Sequence, residues 1–446
     1  MLKTQLRSCS FSACWLLLIG PSVFAADRQM ESLDRGLVAV HRSGGGVFLS
    51  WRWLGNEPDA TEFEVFRFTD GTVKKLTPQP IRHTNFVDES GAGQHRYLVR
   101  AAEQESQQFK ASDAALQRAV TPFHGFLEIP IQPIDGYRAG DASVADLDGD
   151  GRYEIILHQV SRPRDNSHSG MTGTPVLDAY NLGGTHLWRI DLGVNIREGE
   201  HYTQFLVYDL DGDGCAEIAC KTADGTTDGE GKVIGDAAKD SRTKDQNSNR
   251  YGRVLDGPEY LTIFHGRTGR ALKTVDYVPS RDPIDGWGGI GGNGNNDNYG
   301  NRCDRFLACV AYLDGERPSL VMCRGVYGRT VLSAWDWREG QLMQRWVFDS
   351  GISYPTFADA SPYSGMGGHS LSVGDVDADG KDEIIYQAMV VDDNGEGLYS
   401  TGLRHGDAMH LADMYPDRPG LEVFTIQENE GSTVRFRTPG AALRDA

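Results

Sequence analysis

The feature that most constrains this chain is an acidic loop followed at once by an apolar strand, and it recurs along the sequence. Three clean copies read DLDGDGRYE at 146–154, DLDGDGCAE at 209–217 and DVDADGKDE at 375–383. Two degraded copies lie at 312–320 and 413–422. An acidic loop, a strand and a hairpin that repeat at this spacing are typical of a β-propeller blade.

Glycine content supports an all-β fold. The 446 residues include 54 glycines, which are dispersed among Asp and Asn rather than set at a fixed short period. Tight turns between short strands explain this pattern better than a fibrous repeat or a flexible linker does. Long amphipathic helical periodicity is not found.

The five cysteines beyond residue 25 lie in apolar strand patterns, which favours buried thiols over disulfides.

The chain divides into three predicted parts. Residues 1–25 have the basic start, short apolar run and small-residue cleavage site of a secretory signal peptide, which predicts a secreted protein. Residues 27–118 alternate apolar and polar positions between turns, which predicts a small β-sandwich of the fibronectin type III kind. Residues 119–446 carry the propeller repeats.

The formal net charge of −19 disfavours nucleic acid and anionic membranes as partners, and no later apolar run is long enough to cross a bilayer.

The acidic loops have the spacing of a calcium site. Carboxylates stand at positions 1, 3, 5 and 9, and a glycine at position 6 permits the sharp turn that brings them together. Calcium takes 6–8 oxygen ligands, which such loops supply. We interpret these ions as structural. The predicted ligands are Asp146, Asp148, Asp150, Glu154, Asp209, Asp211, Asp213, Glu217, Asp375, Asp377, Asp379 and Glu383.

A second group combines imidazoles with carboxylates. His369 lies just before the third clean loop, His405 and Asp407 lie in the motif LRHGD, and Glu428 follows the next predicted strand. Together they can complete a metal site that leaves positions open for a ligand. The alternative is that turn carbonyls satisfy both histidines, and the spacing alone does not separate the two.

The ends of the repeated strands carry His158, Lys221 and Arg324. If these strands are equivalent, the three side chains lie on one face of the propeller, where a basic ring attracts an anionic ligand. The alternative interpretation is a set of scattered, solvated charges.

Several long motifs resemble the rhamnogalacturonan lyases of polysaccharide lyase family 11. They are HYTQFLVYDLDGDG at 201–214, CKTADGT at 220–226, GPEYLT at 257–262, YGNR at 299–302, RPSL at 317–320 and HGDAMH at 405–410. The resemblance implies an N-terminal β-sandwich, an eight-bladed propeller with several calcium ions, and cleavage of the pectic polysaccharide rhamnogalacturonan I.

The resemblance also implies site residues. His369, His405, Asp407 and Glu428 match positions that hold calcium at the family's active cleft. Asp165 and Asn166 match its cleft loop, Asp165 as a metal ligand and Asn166 as a substrate contact. His158, Lys221 and Arg324 are the remaining candidate substrate contacts.

We therefore expect a secreted, calcium-dependent lyase that cleaves by β-elimination, with endolytic cleavage favoured over exolytic. The alternative is a non-catalytic, calcium-binding propeller that binds glycans or a cell surface. Residues 119–446 are too few for eight blades, so the sequence predicts an unclosed ring that associates with itself and has weak activity. The family's proton-transfer groups are expected beyond Ala446, and no catalytic residue is assigned. A complete chain is expected to be a monomer.

Overall fold

The computed structural model describes residues 28–55, 57–92, 95–102, 114–115, 128–199, 201–202, 204–289, 295–351, 361–427 and 440–445. The predicted signal peptide and Glu428 lie outside these residues. Within them the chain is almost entirely strands and turns, with one 3-10 turn at Ile284–Gly286. The prediction of an all-β protein is confirmed. The described part contains no helix that is long and apolar enough to cross a membrane.

The N-terminal part consists of two antiparallel sheets with a common core. One sheet has the order β1-β2-β5 and the other β4-β3-β6-β7. Alternate side chains of facing strands, among them Leu49, Phe63 and Tyr97, are buried in one cluster. The strands are β1 (Val38–His41), β2 (Val47–Ser50), β3 (Phe63–Thr69), β4 (Thr72–Lys75), β5 (Asn85–Asp88), β6 (Arg96–Ala101) and β7 (Ala114–Ala115).

The following residues form five antiparallel sheets in chain order. The first has β8 (Arg138–Ala145), β9 (Glu154–Val160), β10 (Val176–Asn181) and β11 (His186–Asp191), extended by β14 (Thr226–Thr227) and β15 (Val233–Ile234). The second has β12 (Phe205–Tyr208), β13 (Glu217–Ala223), β16 (Glu259–His265) and β17 (Ala271–Asp276). The third has β18 (Phe306–Ala311), β19 (Ser319–Arg324), β20 (Val331–Arg338) and β21 (Gln341–Asp349). The fourth has β22 (Ser372–Gly374), β23 (Glu383–Tyr386), β24 (Met389–Val391) and β25 (Gly397–Ser400), and the fifth has β26 (Ala408–Ala412), β27 (Glu422–Gln427) and β28 (Gly440–Asp445).

Each of these sheets packs on its neighbour in sequence. The first strand of each sheet contacts the first strand of the next, in the pairs β8 with β12, β12 with β18, β18 with β22 and β22 with β26. Buried apolar clusters fill the space between successive sheets. Cys220, Cys303, Cys309 and Cys323 are buried and unpaired, as expected, whereas Cys215 is partly exposed and also unpaired.

The strand order sorts the connecting segments to two opposite ends of the sheets. Every acidic loop, clean or degraded, joins the first strand of a sheet to the second. Because antiparallel strands reverse direction at each turn, these loops lie together at one end, called here the loop end. The segments that lead into the first strands lie at the opposite end, called here the entry end.

Candidate functional site

The three clean loops fold alike because their first carboxylate accepts backbone N–H groups of the same turn. Asp146 accepts hydrogen bonds from Gly149 at 2.8 Å and Gly151 at 2.7 Å. Asp209 accepts from Gly212 at 2.7 Å and from Gly214 at 3.0 Å. The sixth residue of each loop is a glycine with φ between +86° and +91°, a conformation that other residues rarely adopt.

Each loop brings three acids to within metal-binding distance of one another. In every clean loop the ligand oxygens at positions 1, 3 and 9 lie within 4.8 Å, and these sets are Asp146, Asp148 and Glu154; Asp209, Asp211 and Glu217; and Asp375, Asp377 and Glu383. Position 5 lies outside these sets. Asp150 pairs with Arg152, and Asp379 binds Lys381 at 3.0 Å. Asp379 joins Glu383 and Asp393 in a further set of the same kind.

Burial and the crowding of carboxylates raise the pKa of the glutamate at position 9 of each clean loop. Burial, followed by the charges of Asp211 and Asp209, raises the pKa of Glu217 to about 9. Burial and neighbouring aspartates raise the pKa of Glu154 and that of Glu383 to about 7. A bound cation would reverse this crowding, so the donor sets fit a divalent cation.

At the entry end, His369, His405 and Asp407 form a separate group. Asp407 Oδ1 lies 3.9 Å from Nε2 of each histidine, and one ligand atom from each residue lies within 4.8 Å of the others. The two imidazole rings are nearly perpendicular, with centroids 4.9 Å apart. His405 is buried, whereas the Asp407 side chain is 64% exposed, so the group opens to solvent on the carboxylate side.

The surroundings keep both imidazoles neutral and oriented. His405 Nδ1 lies 2.8 Å from the Gly367 carbonyl, a contact that requires a proton on Nδ1 and leaves the Nε2 lone pair toward Asp407. Burial lowers the pKa of His405 to about 3, and burial, followed by the neighbouring His201 and Arg305, lowers that of His369 to about 4. Neutral imidazole is the metal-binding form, so this group also fits a cation.

A cavity of about 280 Å³ lies beside this group. Its walls are Asp165, Ser167, His201, Asn301, Arg302, Arg305, Tyr327 and His369. Tyr327 connects the cavity to the His369–His405–Asp407 group, because its hydroxyl lies 3.0 Å from His369 Nε2. The guanidinium carbons of Arg302 and Arg305 lie 4.5 and 4.8 Å from the centroid of the Tyr327 ring.

The two residues of the predicted cleft loop have different positions. Asp165 lines the cavity and is exposed. Although partial burial raises its pKa, hydrogen bonds from Ser167 and the charge of Arg305 lower that pKa to about 2. Asn166 is fully buried, and its side-chain amide donates to the Asp304 carbonyl, which fixes the loop against the segment before β18.

The expected basic ring at the strand ends needs correction. Arg324 is fully buried, and its Nη1 donates to Glu259 Oε2 at 2.8 Å. Lys221 Nζ and Arg281 Nε reach the same carboxylate at 2.8 and 3.1 Å. His158 is also buried, and burial lowers its pKa. The strand ends do carry these groups, but Glu259 neutralises two of them away from the solvent.

Sequence reasoning missed Glu259 and the cavity residues His201, Arg302, Arg305 and Tyr327. A usable signal was present for His201 and Arg302, since each stands four positions before the first strand of its sheet. His369 and His405 stand three positions before β22 and β26. Aligning the repeats on their first strands, rather than on their acidic loops, would have brought these residues together.

Comparisons with known proteins identify the class. Residues 133–446 match the profile of the rhamnogalacturonan lyase family 11 C-terminal domain, and residues 28–116 match that of the rhamnogalacturonan I lyases beta-sheet domain. The chain therefore belongs to rhamnogalacturonan lyase family 11.

Individual relatives cover nearly the whole chain. It is 52% identical over 431 residues to rhamnogalacturonan exolyase YesX of Bacillus subtilis (strain 168), with 94% of this chain and 65% of that protein covered. It is 49% identical over 447 residues to rhamnogalacturonan endolyase YesW of the same organism, with 97% and 67% covered. The solved rhamnogalacturonan lyase PL11 of Bacillus licheniformis superimposes with a TM-score of 0.81 at 51% identity, with 94% and 68% covered. The chain thus spans about two thirds of the length of these relatives.

Proposed function

We propose that this protein is a polysaccharide lyase that cleaves the rhamnose–galacturonate backbone of rhamnogalacturonan I by β-elimination. The observation that carries the proposal is the group of His369, His405 and Asp407 beside a cavity walled by two arginines, in a chain of this lyase family. β-Elimination at a uronate removes the proton at C5 next to the carboxylate, so a site that holds that carboxylate beside positive charge suits the reaction.

A divalent cation is part of the proposal, and we take it to be calcium. At the entry end, His369, His405 and Asp407 would hold it, with Glu428 as the fourth predicted ligand. When bound there, such a cation would supply positive charge beside the uronate carboxylate, where negative charge develops on loss of the C5 proton. The protein's own part is to keep both imidazoles neutral and to present the exposed Asp407 carboxylate toward the substrate side. Asp165 and Asn166 we assign to the cleft loop that borders the substrate.

The acidic loops are proposed to bind further calcium ions with a structural role. Their donors are all carboxylates, which suits calcium better than the two imidazoles of the other group do. The N-terminal segment passes beside them, because the Asp34 N–H donates to the Gly151 carbonyl at 2.7 Å. Burial and the charges of Asp209 and Asp146 raise the pKa of Glu31 in this segment to about 7. Cations at the loop end would lower this local repulsion and stabilise the fold.

We further infer the architecture and setting that the family has. The two N-terminal sheets are assigned to a small β-sandwich spanning 27–118, and the five successive sheets to blades of a propeller domain from 119. The substrate is proposed to be pectic and the protein secreted, since residues 1–25 have the composition of a signal peptide.

The mode of cleavage is proposed to be endolytic. An exolyase and an endolyase are similar to this chain at 52% and 49% identity, so identity does not discriminate between the two modes. The cavity is open to solvent, which suits attack within a long polymer. An endolyase lowers the viscosity of the polymer after few cleavages, whereas an exolyase releases short products while the viscosity stays high.

The decisive experiment is an elimination assay on rhamnogalacturonan I. Cleavage creates an unsaturated uronate, so ultraviolet absorbance should rise with calcium, stop on addition of EGTA, and resume when calcium is restored. Homogalacturonan is the matched control polymer, since it has the uronate but lacks rhamnose. Binding of rhamnogalacturonan I without any absorbance rise, with calcium or another divalent cation, would instead support the non-catalytic, glycan-binding alternative.

A further inference from the structure

We propose that Arg302 and Arg305, packed on Tyr327, form a binding site for the carboxylate of an acidic sugar, separate from the His369–His405–Asp407 group. This inference rests on the proposed function, because it names the part of the same cavity that recognises the acidic substrate. The cavity walls carry two arginines, Arg302 and Arg305, against one carboxylate, that of Asp165.

Neither guanidinium has a carboxylate partner. Among the residues that the structure describes, no Asp or Glu side-chain oxygen lies within 4.0 Å of the guanidinium nitrogens of Arg302 or Arg305, whereas Arg281 and Arg324 share Glu259. The Asp297 carboxylate is near but accepts from the backbone N–H of Arg302, at 2.9 Å. Among the described residues, the Arg305 side chain donates to Asn301, through Nε to the carbonyl at 3.0 Å and through Nη2 to the side-chain oxygen at 2.8 Å. Arg302 donates through Nε to the Asn295 carbonyl at 3.2 Å. Several N–H groups therefore remain for a ligand.

The two like charges are also held close together and partly out of water. Both guanidiniums stack on one Tyr327 ring, and burial with the charge of Arg305 lowers the pKa of Arg302. Of the other cavity walls, only Asp165 is negative, while burial keeps the pKa of His201 and of His369 at about 4. The cavity is thus net positive at neutral pH in a chain of charge −19. An anion would relieve the repulsion between the arginines.

Hydrogen bonds from buried residues hold the backbone segment that carries the two arginines. Arg324 Nε donates to the Cys303 carbonyl at 2.6 Å, and its Nη2 lies 3.1 Å from the Asp304 carboxylate. The Asn166 amide donates to the Asp304 carbonyl. Because these contacts alternate with the two arginines along the chain, Arg302 and Arg305 are presented to the cavity in a set orientation. Two preset guanidiniums match the planar geometry of a carboxylate.

The test measures the affinity for D-galacturonic acid by isothermal titration calorimetry in saturating calcium. D-Galactose is the matched neutral sugar, and inorganic phosphate is a matched anion without a sugar ring. Arg302→Gln and Arg305→Gln should each weaken galacturonate binding roughly ten- to hundred-fold, the usual effect of losing a charged hydrogen bond. Arg329→Gln is the control, since Arg329 is an arginine outside the cavity that pairs with Asp349 at 2.6 Å. Because Arg305 is buried, Arg302→Gln, on a less buried residue, keeps the test valid if the other variant does not fold.

Galacturonate binding that both cavity variants weaken, with galactose not bound and Arg329→Gln unchanged, would support the site. Equal binding of galacturonate by wild type and Arg302→Gln would overturn it, as would phosphate binding that galacturonate does not displace. Elimination is not the readout, so the two proposals can fail separately. Arginine-dependent binding without cleavage of rhamnogalacturonan I supports this site and counts against the lyase, whereas full cleavage by Arg302→Gln with unchanged galacturonate binding does the reverse.

Discussion

Replacing Glu259 by glutamine should destabilise the protein more than any single exposed ion-pair change. The Glu259 carboxylate accepts from Arg324 at 2.8 and 3.1 Å, from Lys221 at 2.8 Å and from Arg281 at 3.1 Å. Glu259→Gln keeps the shape of the side chain but removes its charge. Three cations would then be left around one remaining carboxylate, that of Asp304.

The expected loss follows from how these charges are buried. Removing one partner of a buried ion pair typically costs about 3–5 kcal/mol, because the other partner keeps its desolvation penalty. Here three cations lose their partner at once, although the Asp304 carboxylate still pairs with Arg324. We therefore expect the free energy of unfolding to fall by about 3–5 kcal/mol.

The measurement is urea-induced unfolding followed by tryptophan fluorescence, in saturating calcium. Asp349→Asn is the matched control, because Asp349 pairs with Arg329 at 2.6 Å while its side chain is 38% exposed; a loss below about 1 kcal/mol is expected there. Burial raises the pKa of Glu259, but the charges of Arg324, Lys221 and Arg281 outweigh it and lower that pKa well below 4.5. A depressed pKa stabilises the fold above the unfolded value, so the gap between wild type and Glu259→Gln should persist from about pH 8 to about pH 5 and narrow in stronger acid. Equal stability of the Glu259→Gln and Asp349→Asn variants would refute the reasoning.

Three further predictions concern the candidate metal sites. EGTA should lower the melting temperature, and Asp211→Ala should do so even in calcium, because the remaining loop acids repel one another; an unchanged melting curve with EGTA would contradict structural calcium. His405→Ala and Asp407→Ala should reduce any elimination activity far more than they reduce stability, as measured by initial rates and thermal melting; equal losses would place this group with the structural loops. Because burial lowers the pKa of His369 to about 4 and that of His405 to about 3, NMR titration of their ring carbons should show protonation only below about pH 5, and a midpoint near 6.5 would contradict it.

The acidic loops could be predicted in detail because their geometry is local. The backbone N–H groups that donate to the Asp146 carboxylate lie within five residues of it, so the nine-residue pattern contains the turn, the glycine and the convergence of acids. In the first loop the acid at position 5, Asp150, also pairs with Arg152, two residues away. A pattern of acids predicts that they converge but not which of them a neighbouring cation attracts.

The entry end was less predictable because its contacts join distant parts of the chain. Glu259 neutralises Arg324 across 65 residues, and Asn166 holds Asp304 across 138. A basic residue at a strand end indicates positive charge at that end of the sheet, yet whether the charge faces a ligand depends on a partner that the local pattern does not reveal. Arg302, which has no such partner among the described residues, was not singled out, because nothing in its immediate sequence marks it as unpaired.

The charged groups at the two ends of the sheets have different roles. A strand such as β9, with seven residues, spans about 20 Å, so a cation at the loop end lies well beyond the screening distance of about 8 Å from the entry end. Carboxylates at the loop end therefore affect a reaction at the entry end mainly through the stability of the sheets that they terminate. Beside the cavity the charges are opposed: an exposed Asp407, a cavity-lining Asp165, and two arginines that have no carboxylate partner among the described residues. This balance leaves room for the negative charge of one bound anion, which is what the proposed uronate site requires.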